Sequence, residues 1–357
     1  MTGGKILRGA SLSFAALLVA LGLAELAART LGLGPASQIL HRELFRLSED
    51  PLLGYELQPG ASDGAGRINS AGFRGREAAE TKPAGVFRIV AVGDSVTFGQ
   101  PKRPEESWPA ALERELRARG VAAEVLNLGV TGYNVLQVAE RLRTLGLRYE
   151  PDLVLYGYVL NDPQELSIEL EALVDLRDAE EGRLRAELGR GLRGWLVHSR
   201  LYLWLRGLGT PASAPAPGSV AFRHPLDPAY EAFRRGDPRG AYFRALHEDP
   251  AGLARLRTGL DRMAEAARAG GVPLRLVLFP LLLDPRDGPY PLADVHARVR
   301  AEAEARGLAV LDLQATLAGA ARVAADFLHP NAAGADAAAR AIAEDLERAG
   351  CLASGAR

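Results

Sequence analysis

Five short apolar runs, separated by segments with helical periodicity, constrain the fold of this 357-residue chain more than any other feature. Strands that are buried on both faces appear as continuous apolar stretches, whereas half-exposed strands alternate apolar and polar residues. The runs therefore predict a parallel sheet that is covered by helices on both faces. The predicted strands are residues 86–92, 123–130, 153–159, 274–279 and 308–313.

Amphipathic segments between these runs predict helices at about 106–119, 134–146, 251–269, 292–305 and 331–349. The interval between the third and fourth runs is too long for a plain connection, so we interpret residues 163–272 as a helical insertion. This insertion holds a charged stretch (165–190), an aromatic-rich stretch (194–208) and a Pro-rich breaker (211–218). The aromatic-rich stretch suggests a lid, a membrane-surface helix or a helix packed on its own domain, and its weak amphipathicity favours packing.

The first thirty residues have the pattern of an export signal. Lys5 and Arg8 precede an uncharged run at 9–24, and Glu25 ends that run. We expect residues 1–30 to form an uncleaved signal anchor or transmembrane segment, with a cleaved signal peptide and a buried helix as the alternatives. The basic residues predict that everything after the run lies outside the cytoplasm, in the periplasm or at the cell surface. Residues 31–85 are then an extracytoplasmic extension, with short edge strands expected at Tyr55–Leu57 and 67–70.

Composition excludes several classes of protein. Lys and Arg number 43 against 44 Asp and Glu, so the chain lacks the positive charge of a general nucleic-acid binder. Its single cysteine, Cys351, permits neither an intramolecular disulfide nor a cysteine-based metal site. No His, Cys and carboxylate pattern typical of metal ligands is apparent, and we expect neither a metal nor a cofactor.

Polar motifs follow the predicted strands, and a further one precedes the last predicted helix. Each alone has an ordinary structural explanation as a turn or a helix cap. Ligands of open α/β sheets bind outside the carboxyl ends of the strands, so together these motifs predict a site. They are Gly93-Asp94-Ser95, Asn127 to Gly132, Asn161-Asp162 and Asp326 to His329.

These motifs, with Val-Thr-Phe-Gly99 and Trp108-Pro109, resemble those of the SGNH hydrolases, also called GDSL-like lipases. The resemblance covers residues 86–350 and implies a three-layer α/β/α, flavodoxin-like fold with five parallel strands. One departure is visible. The third motif of the family usually reads Gly-x-Asn-Asp, whereas Val159-Leu160 precede Asn161 here. Substrate preference is therefore less constrained than the chemistry.

The resemblance also implies roles for individual residues. Ser95 is the expected nucleophile, His329 its general base, and Asp326 the carboxylate that orients the imidazole. The backbone N–H groups of Ser95 and Gly132 and the side-chain amide of Asn161 are the expected oxyanion donors.

The remaining polar candidates receive structural roles. We interpret Asp94 and Asp162 as supporting or turn-forming residues rather than catalytic acids. The other histidines are interpreted as surface or packing residues: His41, His198, His224, His247 and His296.

The chain is accordingly predicted to be a serine esterase that cleaves a carboxylic ester, with an acylated carbohydrate, lipid or other envelope component as its substrate. One alternative is an O-acyltransferase that uses the same acyl-enzyme to modify an envelope polysaccharide. A second alternative is a non-catalytic anchored scaffold on a hydrolase fold. The sequence identifies no protein partner.

Overall fold

The computed structural model describes residues 3–30, 44–50, 52–62, 65–100, 103–164, 201, 205, 240–283, 286, 288–318 and 321–352. Nearly all of the predicted stretches 165–190, 194–208 and 211–218 lies outside these residues, as do His41, His198 and His224. The N-terminal segment Gly3–Thr30 is a helix, α1. Within the described ranges, no helix combines the length and apolar character needed to span a membrane. The transmembrane segment expected at 1–30 is therefore not found among the residues that the structure describes.

The five predicted strands form one parallel sheet. The strands lie side by side in the order Ala123–Asn127, Phe87–Gly93, Leu153–Tyr158, Leu274–Leu278 and Ala309–Asp312. This is the flavodoxin-like order, in which the first strand of the sheet along the chain, Phe87–Gly93, has neighbours on both sides. The expected three-layer fold with five parallel strands is confirmed. The strands are Phe87–Gly93 (β3), Ala123–Asn127 (β4), Leu153–Tyr158 (β5), Leu274–Leu278 (β6) and Ala309–Asp312 (β7).

Helices cover both faces of this sheet, as alternating side chains of the strands require. In β3, Val90 and Val92 face one core with Val135–Thr144 (α4), whereas Ile89 and Ala91 face the other with Trp108–Ala118 (α3). The remaining described α-helices are, in chain order, Ser95–Phe98 (α2), Ala241–Glu248 (α5), Pro250–Ala269 (α6), Ala293–Glu304 (α7), Gln314–Leu317 (α8) and Ala332–Arg348 (α9), and short 3-10 helices lie at Pro104–Glu106, Gly146–Tyr149 and Ala321–Val323. Helices α4, α6 and α7 line one face, and helices α3 and α9 line the other.

Helix α6 lies within the predicted insertion, residues 163–272. Residues 251–269 were included in the segment 163–272, but α6 packs lengthwise against α4 in the helical layer. Its buried face contains Leu256, Leu260 and Met263. Helix α6 is therefore part of the helical layer that covers the sheet.

The segment before β3 is part of the domain rather than a linker. Phe45–Leu47 (β1) and Tyr55–Leu57 (β2) form an antiparallel pair, and only the second strand was predicted. Within 67–70, Arg67 and Ile68 form isolated bridges, and the expected strand is not formed. Buried apolar side chains of this segment join the core on the α4 face of the sheet: Leu44, Leu53, Tyr55, Leu57, Ile68 and Phe73.

Candidate active site

Ser95 lies at the carboxyl end of β3, as the first residue of the short helix α2. Gly93 makes this turn possible, because a Cβ on Gly93 would lie 2.2 Å from Thr97 Oγ1 and 2.6 Å from the carbonyl oxygen of Gly157. Asp94 caps the helix, since its Oδ1 accepts from the backbone N–H of Val96 over 2.9 Å. The close approach of β3 and β5 and the cap together direct Ser95 to the edge where the two strands end.

Ser95, His329 and Asp326 form one chain of hydrogen bonds. The His329 Nε2 lies 2.8 Å from Ser95 Oγ, and the His329 Nδ1 lies 2.8 Å from Asp326 Oδ2. A carboxylate can only accept hydrogen bonds, so the Nδ1–H group of His329 donates to Asp326. The Nε2 atom then carries no hydrogen and can accept the proton of Ser95. This is the tautomer that a general base for Ser95 requires.

Asp326 is held as a carboxylate. Burial alone would raise the pKa of Asp326. The charge of His329 lowers this pKa, and so do hydrogen bonds from the His329 ring and from the backbone N–H groups of Leu328 and His329. Together these effects bring the pKa of Asp326 to about 2. These backbone bonds form because the chain turns sharply between Asp326 and Pro330. Asp326 therefore carries its negative charge, and can orient the imidazole, over the whole neutral range.

The second motif forms the wall beside Ser95. The side chain of Asn127 donates to the carbonyl oxygen of Thr97 over 2.8 Å and accepts from the N–H of Gly129 over 3.0 Å. Gly129 lies against α2, where a Cβ would approach the Phe98 nitrogen to 2.3 Å. The loop leading to Gly132 is thereby packed directly on the helix that carries Ser95.

Asn161 follows β5, and its amide Nδ2 donates to Asp94 Oδ2 over 3.2 Å. Asp94 is completely buried, and burial raises the pKa of its carboxyl group. The bond to Asp94 uses one of the two protons of the Asn161 amide. Sequence reasoning missed this contact, although it placed both residues directly after predicted strands, at the edge where the carboxyl ends of the strands meet.

Asp162 points away from the reacting groups into the core. Its Oδ2 accepts from the hydroxyl of Tyr156 and from the backbone N–H of Val159. Burial and the nearby charge of Asp94 raise the pKa of Asp162 well above its usual value. Both aspartates therefore have the supporting positions that the sequence predicted.

The two other described histidines are packing residues, as expected. His247 is fully buried, with Nδ1 2.6 Å from the carbonyl oxygen of Phe243 and Nε2 2.6 Å from the hydroxyl of Tyr158. Burial lowers the pKa of His247 to about 4, so the ring is neutral. His296 lies between Tyr290 and Asp312. Among the described residues there is no cluster of His, Cys, Asp and Glu that could hold a metal ion.

The family model of the GDSL-like lipases and acylhydrolases matches residues 91–337. This match spans more than half of the chain and includes the residues of the candidate active site, among them Ser95, Asp326 and His329. The chain belongs to this family. It is a serine hydrolase that acts on ester bonds.

Solved structures with a similar fold are also found, at low sequence identity. The structure of TesA is 19% identical, with a TM-score of 0.42, and covers 73% of this chain and 98% of its own. An acetylxylan esterase, Axe2 from Geobacillus stearothermophilus, is 16% identical, with a TM-score of 0.42 and coverages of 72% and 93%. The psychrotrophic esterase EstA from Pseudoalteromonas sp. is 14% identical, with a TM-score of 0.39 and coverages of 73% and 97%. No curated protein matches the chain.

Proposed function

We propose that this protein hydrolyses a carboxylic ester through an acyl-enzyme on Ser95. The observation that carries the proposal is the continuous chain from Ser95 Oγ through His329 to Asp326, with 2.8 Å at each link. Serine is a poor nucleophile unless a base within hydrogen-bond distance removes its proton. The geometry supplies that base in the required tautomer, and the low pKa of Asp326 keeps its orienting partner charged.

In the first half of the reaction, Ser95 Oγ attacks the carbonyl carbon of the ester while its proton passes to His329 Nε2. The resulting imidazolium is stabilised by Asp326. When the tetrahedral intermediate collapses, the bond from carbon to the alcohol oxygen breaks and His329 protonates the departing alcohol. In the second half, His329 removes a proton from water, the hydroxide attacks the acyl carbon, and Ser95 recovers its proton as the carboxylic acid leaves.

The negative oxygen of both intermediates needs donors that are already in place. We assign the backbone N–H groups of Ser95 and Gly132 and the amide of Asn161 to this role. The turns after β3, β4 and β5 contribute one donor each, which is consistent with the strand order. Removal of one such donor typically costs about 10²- to 10³-fold in kcat.

A fluorophosphonate probe tests the nucleophile directly. We expect the native protein to be labelled stoichiometrically at Ser95 and to hydrolyse p-nitrophenyl acetate. The Ser95→Ala variant should show neither property while unfolding at the same temperature. A native protein that is folded but unlabelled would favour the non-catalytic scaffold.

The same acyl-enzyme could pass its acyl group to a sugar hydroxyl instead of water. Incubation with an activated acetyl ester, with and without an oligosaccharide acceptor, separates the two outcomes. For a hydrolase, free acetate accounts for all of the ester consumed in both mixtures. Acetylated oligosaccharide formed at the expense of free acetate would establish the acyltransferase instead.

We further propose that residues 1–30 attach the enzyme to a membrane and that its catalytic domain acts outside the cytoplasm on O-acyl groups of envelope carbohydrates or lipids. Lys5 and Arg8 before the uncharged run support this orientation. Helix α1 also exposes apolar side chains that water does not favour: Leu17, Leu18, Val19, Leu21, Leu23 and Leu26. The full-length protein should remain in the membrane fraction after a high-salt wash. Mature protein lacking residues 1–28 in the soluble exported fraction would instead establish a cleaved signal.

A further inference from the structure

The segment before β3 contacts the loop that carries a proposed oxyanion donor. Tyr55 of β2 is fully buried, and its hydroxyl donates to the carbonyl oxygen of Thr131 over 2.7 Å. Tyr55 precedes residues 91–337, the part of the chain that the family model matches. A side chain from outside the matched region therefore reaches the residue immediately before Gly132.

The bond reaches the peptide group that contains the oxyanion donor. The carbonyl of Thr131 and the N–H of Gly132 belong to the same peptide unit. In a planar trans peptide, the C=O and N–H bonds point in opposite directions. A hydrogen bond that holds the Thr131 carbonyl toward Tyr55 consequently holds the Gly132 N–H in the opposite direction, away from β2.

This peptide unit lies at the centre of a tight turn. The N–H of Tyr133 donates to the carbonyl oxygen of Val130 over 3.2 Å, and Gly132 has a φ of 81°. These are the features of a type II turn with glycine at its third position. Type I and type II turns differ by a reversal of the central peptide, and glycine tolerates either arrangement.

Both ends of the turn are fixed, so its centre is the part that can reverse. The N–H of Val130 donates to the carbonyl oxygen of Gly93 at the end of β3, over 3.1 Å. After the turn, Asn134 caps helix α4. A reversal of the central peptide would leave these contacts intact but would turn the N–H of Gly132 through about 180°.

The position of Tyr55 is itself fixed by packing. Its ring lies edge-to-face with Tyr133, with 5.1 Å between centroids, and with Phe45, with 5.4 Å. The hydroxyl of Tyr133 donates to the backbone carbonyl of Tyr55. A rigidly placed donor on the carbonyl also polarises the peptide, which makes its N–H a stronger donor.

We propose that Tyr55 is a positioning residue of the oxyanion hole, which holds the Thr131–Gly132 peptide in the orientation that directs the Gly132 N–H at the reacting oxygen. This inference rests on the proposed function, in which Gly132 donates to the oxyanion. Through Tyr55, the N-terminal segment contributes to the reaction as well as to the hydrophobic core.

The test compares Tyr55→Phe with a control that loosens the same segment elsewhere. Phenylalanine retains the ring and its aromatic contacts and removes only the hydroxyl. In the control, Arg141→Met, a buried bond from Arg141 Nη2 to the carbonyl oxygen of Gly72 (2.6 Å) is lost, and the Thr131–Gly132 peptide is untouched. Both variants lose one buried hydrogen bond between the segment and its support, so a general loosening should affect them alike.

The readouts are kcat, KM and the affinity for a trifluoromethyl ketone, whose hemiketal oxygen on Ser95 occupies the oxyanion hole. For Tyr55→Phe we expect about a 10-fold fall in kcat, the size of one modest hydrogen bond, with KM unchanged. The affinity for the ketone should fall by the same factor. Arg141→Met should retain the kcat and the ketone affinity of the native enzyme. Equal values for the two variants would overturn the inference.

A second substitution serves if Tyr55→Phe does not fold. With 3-fluorotyrosine at position 55, the hydroxyl remains and becomes a stronger donor, so the ketone should bind more tightly than to the native enzyme. Unchanged affinity would also overturn the inference. Failure of the proposed function would be recognised separately, because it would appear in the native protein as an absence of ester turnover and of Ser95 labelling.

Discussion

The side-chain amide of Asn161 donates to the carboxylate of Asp94 over 3.2 Å, so the turn after β5 is held by the turn after β3. The same carboxylate caps α2 through the N–H of Val96. One buried side chain therefore supports both the helix of the nucleophile and the amide proposed to stabilise the oxyanion.

We expect Asp94→Asn to lower kcat, by less than the roughly 100- to 1,000-fold loss expected for Asn161→Ala. Asparagine still caps α2, but its own amide group replaces the acceptor of the Asn161 amide. Steady-state kinetics of the two variants and of their combination measure the effect. The double variant should lose less than the product of the two single losses, because both changes disturb one contact. Independent, multiplicative losses would show that Asp94 does not act through Asn161.

Ser95→Ala and His329→Ala should each reduce kcat by roughly 10⁴- to 10⁶-fold, because nucleophile and base act as one unit. For the same reason the double variant should be hardly slower than either single variant. Single-turnover kinetics with an activated ester, and thermal unfolding of each variant, provide the measurement and the check on folding. Near-native turnover by Ser95→Ala would refute the mechanism.

The pH dependence of kcat/KM follows from the pairing of His329 with Asp326. Only a neutral His329 can accept the serine proton, so kcat/KM should fall on acidification through one ionisation. The charge of His329 lowers the pKa of Asp326, and this coupling is reciprocal, so the carboxylate stabilises the imidazolium. Asp326→Asn should therefore move the acid limb of the profile to lower pH and reduce the plateau by about 10³- to 10⁴-fold.

The profile should be measured with an ester that does not ionise, between about pH 5 and 9, around the value of about 6.5 for a free histidine. The Asp326→Asn substitution keeps the size of the side chain, so a shift of the limb reports the lost charge. A flat profile for the native enzyme, with chemistry rate-limiting, would mean that His329 is not the base.

His247 makes the stability of the fold dependent on pH. Its pKa of about 4 in the folded state lies below the value of about 6.5 in the unfolded chain, so the unfolded state binds the proton first. Stability is fully present above about pH 6.5 and declines as the pH falls toward 4, by about 3 kcal/mol in all.

Urea unfolding at several pH values, for the native protein and for His247→Gln, tests this contribution. The difference between the two free energies of unfolding should change with pH only between about 4 and 6.5, because glutamine does not titrate. A constant difference across that interval would show that the ring of His247 is protonated without cost.

The sheet could be predicted from sequence because four of its five strands are almost wholly buried, and all five consist mainly of apolar residues. The largest error is at the end of β4, where apolar residues continue to Val130 but the strand stops at Asn127. Beyond Asn127 the N–H groups of Leu128 and Val130 still donate to β3, but the regular strand pairing ends and Gly129 packs on α2. Apolar character does not distinguish a buried strand from a buried loop.

The contribution of the N-terminal segment could not be predicted in the same way. Strands β1 and β2 have three residues each, too few for a periodic pattern. The contact of Tyr55 with Thr131 joins residues 76 positions apart and depends on how the segment lies across α4. Ser95, His329 and Asp326 were recognised from their motifs. The residues that support them became visible only in the three-dimensional structure.

Ser95 and His329 are 234 positions apart, and His329 follows β7, the last strand of the sheet. During synthesis the nucleophile emerges from the ribosome long before its base. Until the C-terminal turn has docked beside β3, the hydroxyl of Ser95 has no group to remove its proton and remains as unreactive as that of any ordinary serine. A nascent or partly folded chain therefore cannot cleave esters, and the acquisition of reactivity toward a fluorophosphonate marks the completion of folding.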